Sequence, residues 1–400
     1  QNVVIGHQAN GGGSTSVDNT IIIGYQAAYN INSADADGTV AIGYAAGGSI
    51  TSGRGNVAIG YQALDAEDDG DFNTAVGYRA LSSQTGNSAE VGNTAIGYEA
   101  ADALTTGRFS VFVGAHAGGA ITTGAYNVAI GYGAMRYPTG LTGNVAIGWN
   151  ALTAMSGSAG SKYNTAVGYG AGDSVTTADS LTLVGAQVGS AITTGNDNTA
   201  VGYLALNQLE TSASNTALGH QAGFANVSGN NTTGVGARAL RQNLVGGNTA
   251  VGYEAMLANT TGYDTTAVGR RALDANTEGH SNTSVGESSL TGNTTGDRNV
   301  AIGQNAMSVN TTGSENVAIG RNALDANTTA DSNVAIGDSS MTASTTANHN
   351  TCVGHNAGAS ITVGQGNTCI GADAGASGTP GGNCILIGRQ ANVSSAGVSN

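Results

Sequence analysis

The sequence predicts an all-β chain, a β-solenoid of about 23 coils of ~17 residues, and three observations carry that prediction. The glycine of "AVG" or "AIG" recurs 23 times between Gly6 and Gly388, and 17 of the 22 intervals are seventeen residues long. Valine or isoleucine precedes that glycine in 22 of 23 units, Leu218 being the exception. Composition agrees, with 65 Gly, 2 Pro and 10% charged residues among 400, far from the ~25% charge and ~7% Gly of an average soluble domain. A fixed period overrides the expectation of two or three domains from length. The repeat occupies 1–400, leaving no separate globular domain.

Seventeen residues are too few for the helix pairs of helical repeats and suit short strands joined by turns. With the repeat glycine as position 0, position −3 is Val, Ile or Thr in all 23 units. Such β-branched residues fit a pleated surface, so −4 to −1 reads as a strand. Side chains alternate along a strand, and the interior of the coil is assigned here to −3 and −1. Position −2 then faces outward, yet it is Ala in 14 units. A strand apolar on both faces is covered on both, so the alanine row is expected to lie against another copy of the chain.

Position −4 is Asn in 16 units, which suits amide ladders between coils stacked about 4.8 Å apart. Gly at 0 supplies a positive φ or a close approach at a corner. A second corner is expected near +10, where "TTG" occurs, as at Thr105 to Gly107 and Thr260 to Gly262. Between the corners a second short strand is expected, holding Ala at +3 in 20 units. Position +4 is Leu or Met in twelve units and Gly in seven; in five of those seven, +7 is Ile or Val, as at Ile50, Ile121 and Ile361. One bulky side chain per coil is thus kept while its position moves, as close packing of a core requires.

The stretches "NVAIGYQAL" (56–64), "NVAIGWNAL" (144–152) and "NVAIGRNAL" (316–324) resemble the head repeats of trimeric autotransporter adhesins, the YadA-like heads, and similar repeats of bacteriophage tail fibres. The resemblance covers all 23 units. It implies a left-handed parallel β-roll and a homotrimer. Those heads have shorter coils, and this chain shows no heptad stalk, membrane-anchor barrel or signal peptide. Gln1 and Asn2 fall at −5 and −4 of a coil, so the chain reads as a segment of a longer fibre. The longer coils, the "TTG" turns and the Tyr after Gly favour a virion tail fibre that attaches to a host cell. A bacterial adhesin head is the alternative, and a purely structural surface filament is a third reading.

The candidate receptor-binding residues occupy +1: Tyr25, Tyr44, Tyr61, Tyr78, Tyr98, Tyr132, Trp149, Tyr169, Tyr203 and Tyr253. Exposed aromatics offer apolar faces on which glycan rings stack; the simpler reading is a ladder of rings that shields the glycine corner. From Arg270 onward the slot turns polar, so the ladder is dispensable for folding. The loop "LDAEDDGD" gathers Asp65, Glu67, Asp68, Asp69 and Asp71, oxygen ligands of the kind calcium takes, although their spacing is not that of an EF-hand and a solvated acidic loop is the simpler reading. The insertions before Gly97 and Gly168 are expected to be surface bulges available to a receptor. Cys352 and Cys369 share the −2 slot of successive coils, within reach of a disulfide, with replacement of Ala by a small buried residue the simpler reading.

Several classes are excluded. The net charge is −14, with 12 Lys and Arg in all, so no basic patch points to nucleic acid. No run of 18 apolar residues exists to span a membrane. The six His lack metal-ligand spacing. No catalytic constellation and no cofactor motif emerge, since glycine-spacing matches arise freely in a glycine-rich chain. The expected partners are identical chains and a host surface glycan or protein.

Overall fold

The structure is a computed structural model, and it describes residues 1–12, 17–85, 90–156, 160–378 and 380–393. The chain divides into two compact units, Gln1–Asn198 and Thr199–Asn400. Each is a parallel β-solenoid of coils of about seventeen residues. The first holds eleven three-residue strands of the repeat, from Val3–Ile5 to Thr182–Val184, and the second holds twelve, from Thr199–Val201 to Ile385–Ile387. Every slot lies on the same slot of the next coil: Val57 on Thr74, Ala58 on Ala75, Ile59 on Val76. The longer interval before Gly43 carries a 3-10 turn, Ala34–Ala36, in which the Asp35 amide donates to the Ser33 side chain. Insertion-bearing coils add the short pair Leu141–Thr142 and Gly160–Ser161.

The facing of the strand is the reverse of the sequence expectation. The −2 alanines lie inside the coil, Ala58, Ala146, Ala301 and Ala318 among them, all fully buried. The −3 and −1 side chains point outward and are partly exposed; Val184, Ile302 and Ile370 show 36%, 37% and 41% of their surface. With three residues in the strand, the middle one faces in and its neighbours face out. The interior is thin, and a methyl group opposite the +3 alanine and the +4 side chain fills it.

Among the described residues the expected second strand does not form. Residues 0 to +6 form a continuous turn, as over Gly60–Ala66, in which +2 and +4 adopt left-handed φ: Gln62 at 52° and Leu64 at 52°, Asn322 at 54° and Leu324 at 50°. β-branched residues are strongly disfavoured in that region. Accordingly no +4 position in the 23 units is Val, Ile or Thr. At +7 the backbone leaves it, and Ile50, Ile121 and Val175 are accepted there.

The compensation of core volume is broader than the +4 and +7 exchange. A Cβ built on Gly47 meets Ile50 Cδ1 at 2.8 Å, so the +7 side chain fills the +4 space. Gly118 would meet the ring of Phe112 at 2.3 Å, and Gly358 the Sγ of Cys352 at 2.4 Å. Large residues at −2 therefore also displace the +4 side chain. The corner glycines answer a separate demand: Gly60 has φ +135°, and a Cβ there would lie 2.3 Å from the carbonyl oxygen of Gly77.

Buried amides tie coil to coil at the −4 slot, as the sequence expectation had it, but chiefly through backbone. Asn56 Oδ1 accepts from the amide of Asn73 at 2.8 Å while its Nδ2 donates to Gly70 O at 2.8 Å. The pattern repeats through Asn299, Asn316, Asn333 and Asn350. A second column stands at +7, where Asn259, Asn276, Asn293, Asn310 and Asn327 each donate Nδ2 to the Oδ1 of the preceding member at 2.7 to 2.8 Å, starting from Asn243. At +8 the threonines of the second corner add a hydroxyl ladder, Thr260 Oγ1 donating to Thr277 O at 2.9 Å and Thr277 Oγ1 to Thr294 O at 3.1 Å.

Two outcomes are expected. Ala318→Asp places a carboxylate in the interior and should cost roughly 3–5 kcal/mol, seen as loss of the β circular-dichroism signal at neutral pH. Retention of the full signal would put the −2 row outside after all. The +7 amide column ends at Asn327, whose Oδ1 lacks a partner, as does Ser344 Oγ in the next coil. Ser344→Asn should extend the column and add about 0.5–1.5 kcal/mol, raising the thermal midpoint by a few degrees in calorimetry.

Candidate functional site

The +1 residue follows the corner glycine, so its side chain leaves the coil at the edge and lands on the +1 side chain of the next coil. In the first unit this builds a column. His7, Tyr25, Tyr44, Tyr61, Tyr78 and Tyr98 stack in sequence with ring centroids 5.0 to 5.5 Å apart and planes within 10° of parallel. Trp149 and Tyr169 stack at 4.7 Å. In the second unit Tyr203 stacks on His220 at 5.7 Å. The tyrosines are 43% to 54% exposed.

Stacking decides what this stripe presents. Rings inside the column cover one another's faces, so they offer solvent their edges and phenol hydroxyls rather than open aromatic faces. The column breaks where +1 is Ala115. There His116, from the +2 slot, stands edge-on to Tyr98 at 5.3 Å and to Tyr132 at 5.9 Å.

From Arg270 onward the same slot carries ion pairs between coils. Arg270 pairs with Glu287, and Arg321 Nη2 with Asp338 Oδ2 at 3.0 Å. Arg321 holds the Asp338 carboxyl below the usual range. A parallel pair at −5 joins Arg298 to Glu315 at 2.8 Å. Ring stacking and charge pairing are two solutions to one geometry.

A second set of exposed aromatics, unremarked in the sequence, occupies −5. Phe109 and Tyr126 stack at 5.6 Å; one residue earlier, at −6, Tyr263 stacks on His280 at 4.8 Å. Phe72 and Tyr163 lie over the bare backbone of Gly55 and Gly143 one coil away. The missed signal was a recurrent Phe or Tyr five residues before the repeat glycine.

The acidic loop does not act as one group. Glu67, Asp68 and Asp69 bring carboxylate oxygens within 4.8 Å of one another. Glu67 is buried, and its Oε1 accepts from the amides of Asp68 and Gly70 at 3.1 and 2.7 Å, capping its own turn. Asp71 is drawn away to Arg54, at 3.1 Å, and Asp65 accepts from Gln62 at 3.3 Å. Three carboxylates are a donor set for a hard divalent cation, but their local bonds already give them a structural task.

Cys352 and Cys369 lie in register in the core, and no disulfide joins them or Cys384. Their mutual hydrogen bond, with burial, pushes the Cys352 thiol up. Asn259 and Asn293, each opening an Asn-Thr-Thr sequon, are fully buried members of the +7 column. The proposed bulges before Gly97 and Gly168 include 86–89 and 157–159, which lie outside the described residues. No helix among the described residues is long and apolar enough to cross a membrane.

Two grooves adjoin these features. One, of about 250 Å³, is lined by Asp35, Ser52, Arg54, Asp69 and Asp71. The other, of about 220 Å³, lies beside the break in the ring column, with Glu99, Asp102, His116, Gly119, Ala120, Arg136 and Tyr137 around it. No family model, curated protein or solved structure matches the chain.

The carboxylates set a pH dependence. Asp65, Asp102, Asp173 and Asp325 share the +5 slot, and in each desolvation raises the pKa above its ordinary value of 3.8. A raised group binds its proton more tightly in the folded state, so its contribution is full below 3.8 and is lost as pH rises through the folded value. Asp338 acts oppositely, its contribution being lost as pH falls through its lowered value. Stability should therefore rise on mild acidification from pH 7 towards about 4. Asp325→Asn should raise the midpoint at pH 7 on the order of 1 °C and shrink that acid gain. Thermal melts across pH check both, and an unchanged acid gain would remove Asp325 from this account.

Proposed function

We propose that this chain is a stretch of a non-enzymatic extracellular fibre, assembled from identical chains as a homotrimer, that attaches to a host-cell surface and is most like a bacteriophage tail fibre. The outward row of the strands carries the reading. Position −1 is aliphatic in all 23 units, and it lies outside the coil beside Val, Ile or Thr at −3. Soluble monomers rarely expose contiguous apolar patches beyond a few hundred Å², and an aliphatic row that recurs coil after coil is matched in shape by its own copy. The apolar row supports assembly; the exposed edges at +1 and −5, repeated coil after coil, leave surfaces free for a host glycan or protein.

A structural filament is the second reading, and the ring column favours it, because its interior faces are used up in stacking. Labelled chain binding to host cells separates the two: a filament alone would not bind.

Sedimentation equilibrium should give about three times 39.1 kDa. Ile302→Asp with Ile319→Asp should lower the mass toward the monomer while the β signal survives, since both side chains lie outside the coil. A parent chain that sediments as a folded monomer would sink the assembly. Immunogold labelling of virions and of bacterial surfaces then distinguishes a tail fibre from an adhesin.

A further inference from the structure

The groove beside the break in the ring column is built from three successive coils. Glu99 and Asp102 come from the first, His116, Gly119 and Ala120 from the second, and Arg136 and Tyr137 from the third. Its floor is Gly119, and the backbone does not ask for a glycine there. The φ of Gly119 is not left-handed, and a built Cβ finds its nearest atoms at 3.4, 3.7 and 3.8 Å, which are ordinary contacts. The same +5 slot holds Asp102 one coil earlier, Arg136 one coil later, and Phe224 and Leu257 elsewhere. Gly119 thus leaves open a position that the repeat fills freely, with an acid on one side and a guanidinium on the other.

The walls are held in place. Glu99 is shared between the Tyr98 hydroxyl and His116, whose Nδ1 lies 3.4 Å from Glu99 Oε2. Burial, then the charge of Glu99, raises the Asp102 carboxyl, which favours a partner that brings hydrogen-bond donors without negative charge. Arg136 lies over one face of the Tyr137 ring at 5.4 Å. Two carboxylates accept from adjacent hydroxyls, a guanidinium donates to ring or hydroxyl oxygens, and the Ala120 methyl and Tyr137 supply apolar contact. The lining sets two acids against one permanent cation, and the Arg79 guanidinium also acts on Asp102, so the groove carries little net charge and favours a neutral ligand. At about 220 Å³ the groove is smaller than the roughly 300–1,000 Å³ of sites that enclose drug-sized molecules. It suits one six-membered sugar ring.

We propose that this groove binds a single pyranose residue of a neutral surface polysaccharide, with Glu99 and Asp102 accepting from its hydroxyls and Arg136 donating to its oxygens. The proposal rests on the host-attachment reading and names the ligand class of one site on that fibre.

The test uses the full chain and fluorescent cellohexaose, maltohexaose and mannohexaose in anisotropy titrations, with hyaluronan oligosaccharide as the anionic comparison. At least one neutral probe should bind. Gly119→Leu, which fills the floor with a residue already present as Leu257, should weaken it about ten-fold or more. Asp102→Asn, which keeps the shape, should weaken it by a factor of a few, the difference between a hydrogen bond to a charged acceptor and one to a neutral acceptor. Asp325→Asn, at the same +5 slot of a later coil, should leave binding unchanged, and circular dichroism should show each variant folded. Equal binding by folded Gly119→Leu and Asp102→Asn overturns the proposal, as does binding of hyaluronan alone or of no neutral probe. A chain that adheres to host cells yet fails these titrations retains host attachment without this site. One that binds the neutral probe through the groove but no host cell retains the site and loses the attachment reading.

Discussion

Each residue in this protein lies one coil away from the residue that plays its own part, and that self-stacking constrains everything else. The amide of Val57 donates to Asn73 O, and the amide of Gly60 to Ile42 O, each at 2.8 Å. Because the backbone repeat along the stack is fixed at about 4.8 Å, a side chain must tolerate a near copy of itself at that distance. Asparagine does so by having a donor and an acceptor on one amide, tyrosine by stacking its ring, and arginine by alternating with a carboxylate. Like charges in succession would repel, so the polar stretch of the +1 row pairs Arg270 with Glu287 and Arg321 with Asp338.

The thin interior imposes the second constraint. A coil has one strand layer opposed by one turn layer, so a methyl group at −2, a methyl at +3 and one longer side chain fill it. Whichever of −2, +4 or +7 supplies that side chain, the others give way. Leu64 does so from a left-handed backbone, Ile50 from an ordinary one, and Phe112 from the strand itself. The turn needs left-handed φ at two alternating positions, and that excludes the β-branched residues that crowd the facing strand. The β-branched aliphatics of −3 and −1 lie on the outer face, partly exposed, and give the fibre reading its basis, while +4 and +7 keep Leu, Met, Ile and Val inside.

Departures from regularity are where a discrete groove arises. A perfect column of rings buries its own faces. A perfect ladder of amides satisfies its own donors. Where the column breaks at Ala115, three coils contribute different side chains to one small groove. The acidic loop is another departure, yet Glu67 turns its oxygen to the loop's own amides.

The period, the strand ahead of the glycine, the ladder-forming asparagines and the exchange of volume between +4 and +7 were legible from residue order alone. Each is a one-dimensional property: a spacing, a propensity, or a covariation between slots of one unit. The ring stripe was legible as a stripe, because stacked coils align equal positions. Facing was not legible, because alternation says that −2 opposes −3 and −1 but not which side the chain closes around. Only closure of the coil decided that the methyl of Ala318 goes in and the side chain of Ile319 goes out. The turn in place of a second strand escaped for a related reason, since Leu and Met report left-handed φ only through the β-branched residues missing beside them. The groove at Gly119 needed three coils superposed: its acid, floor and base lie seventeen residues apart and become neighbours only when the backbone stacks them.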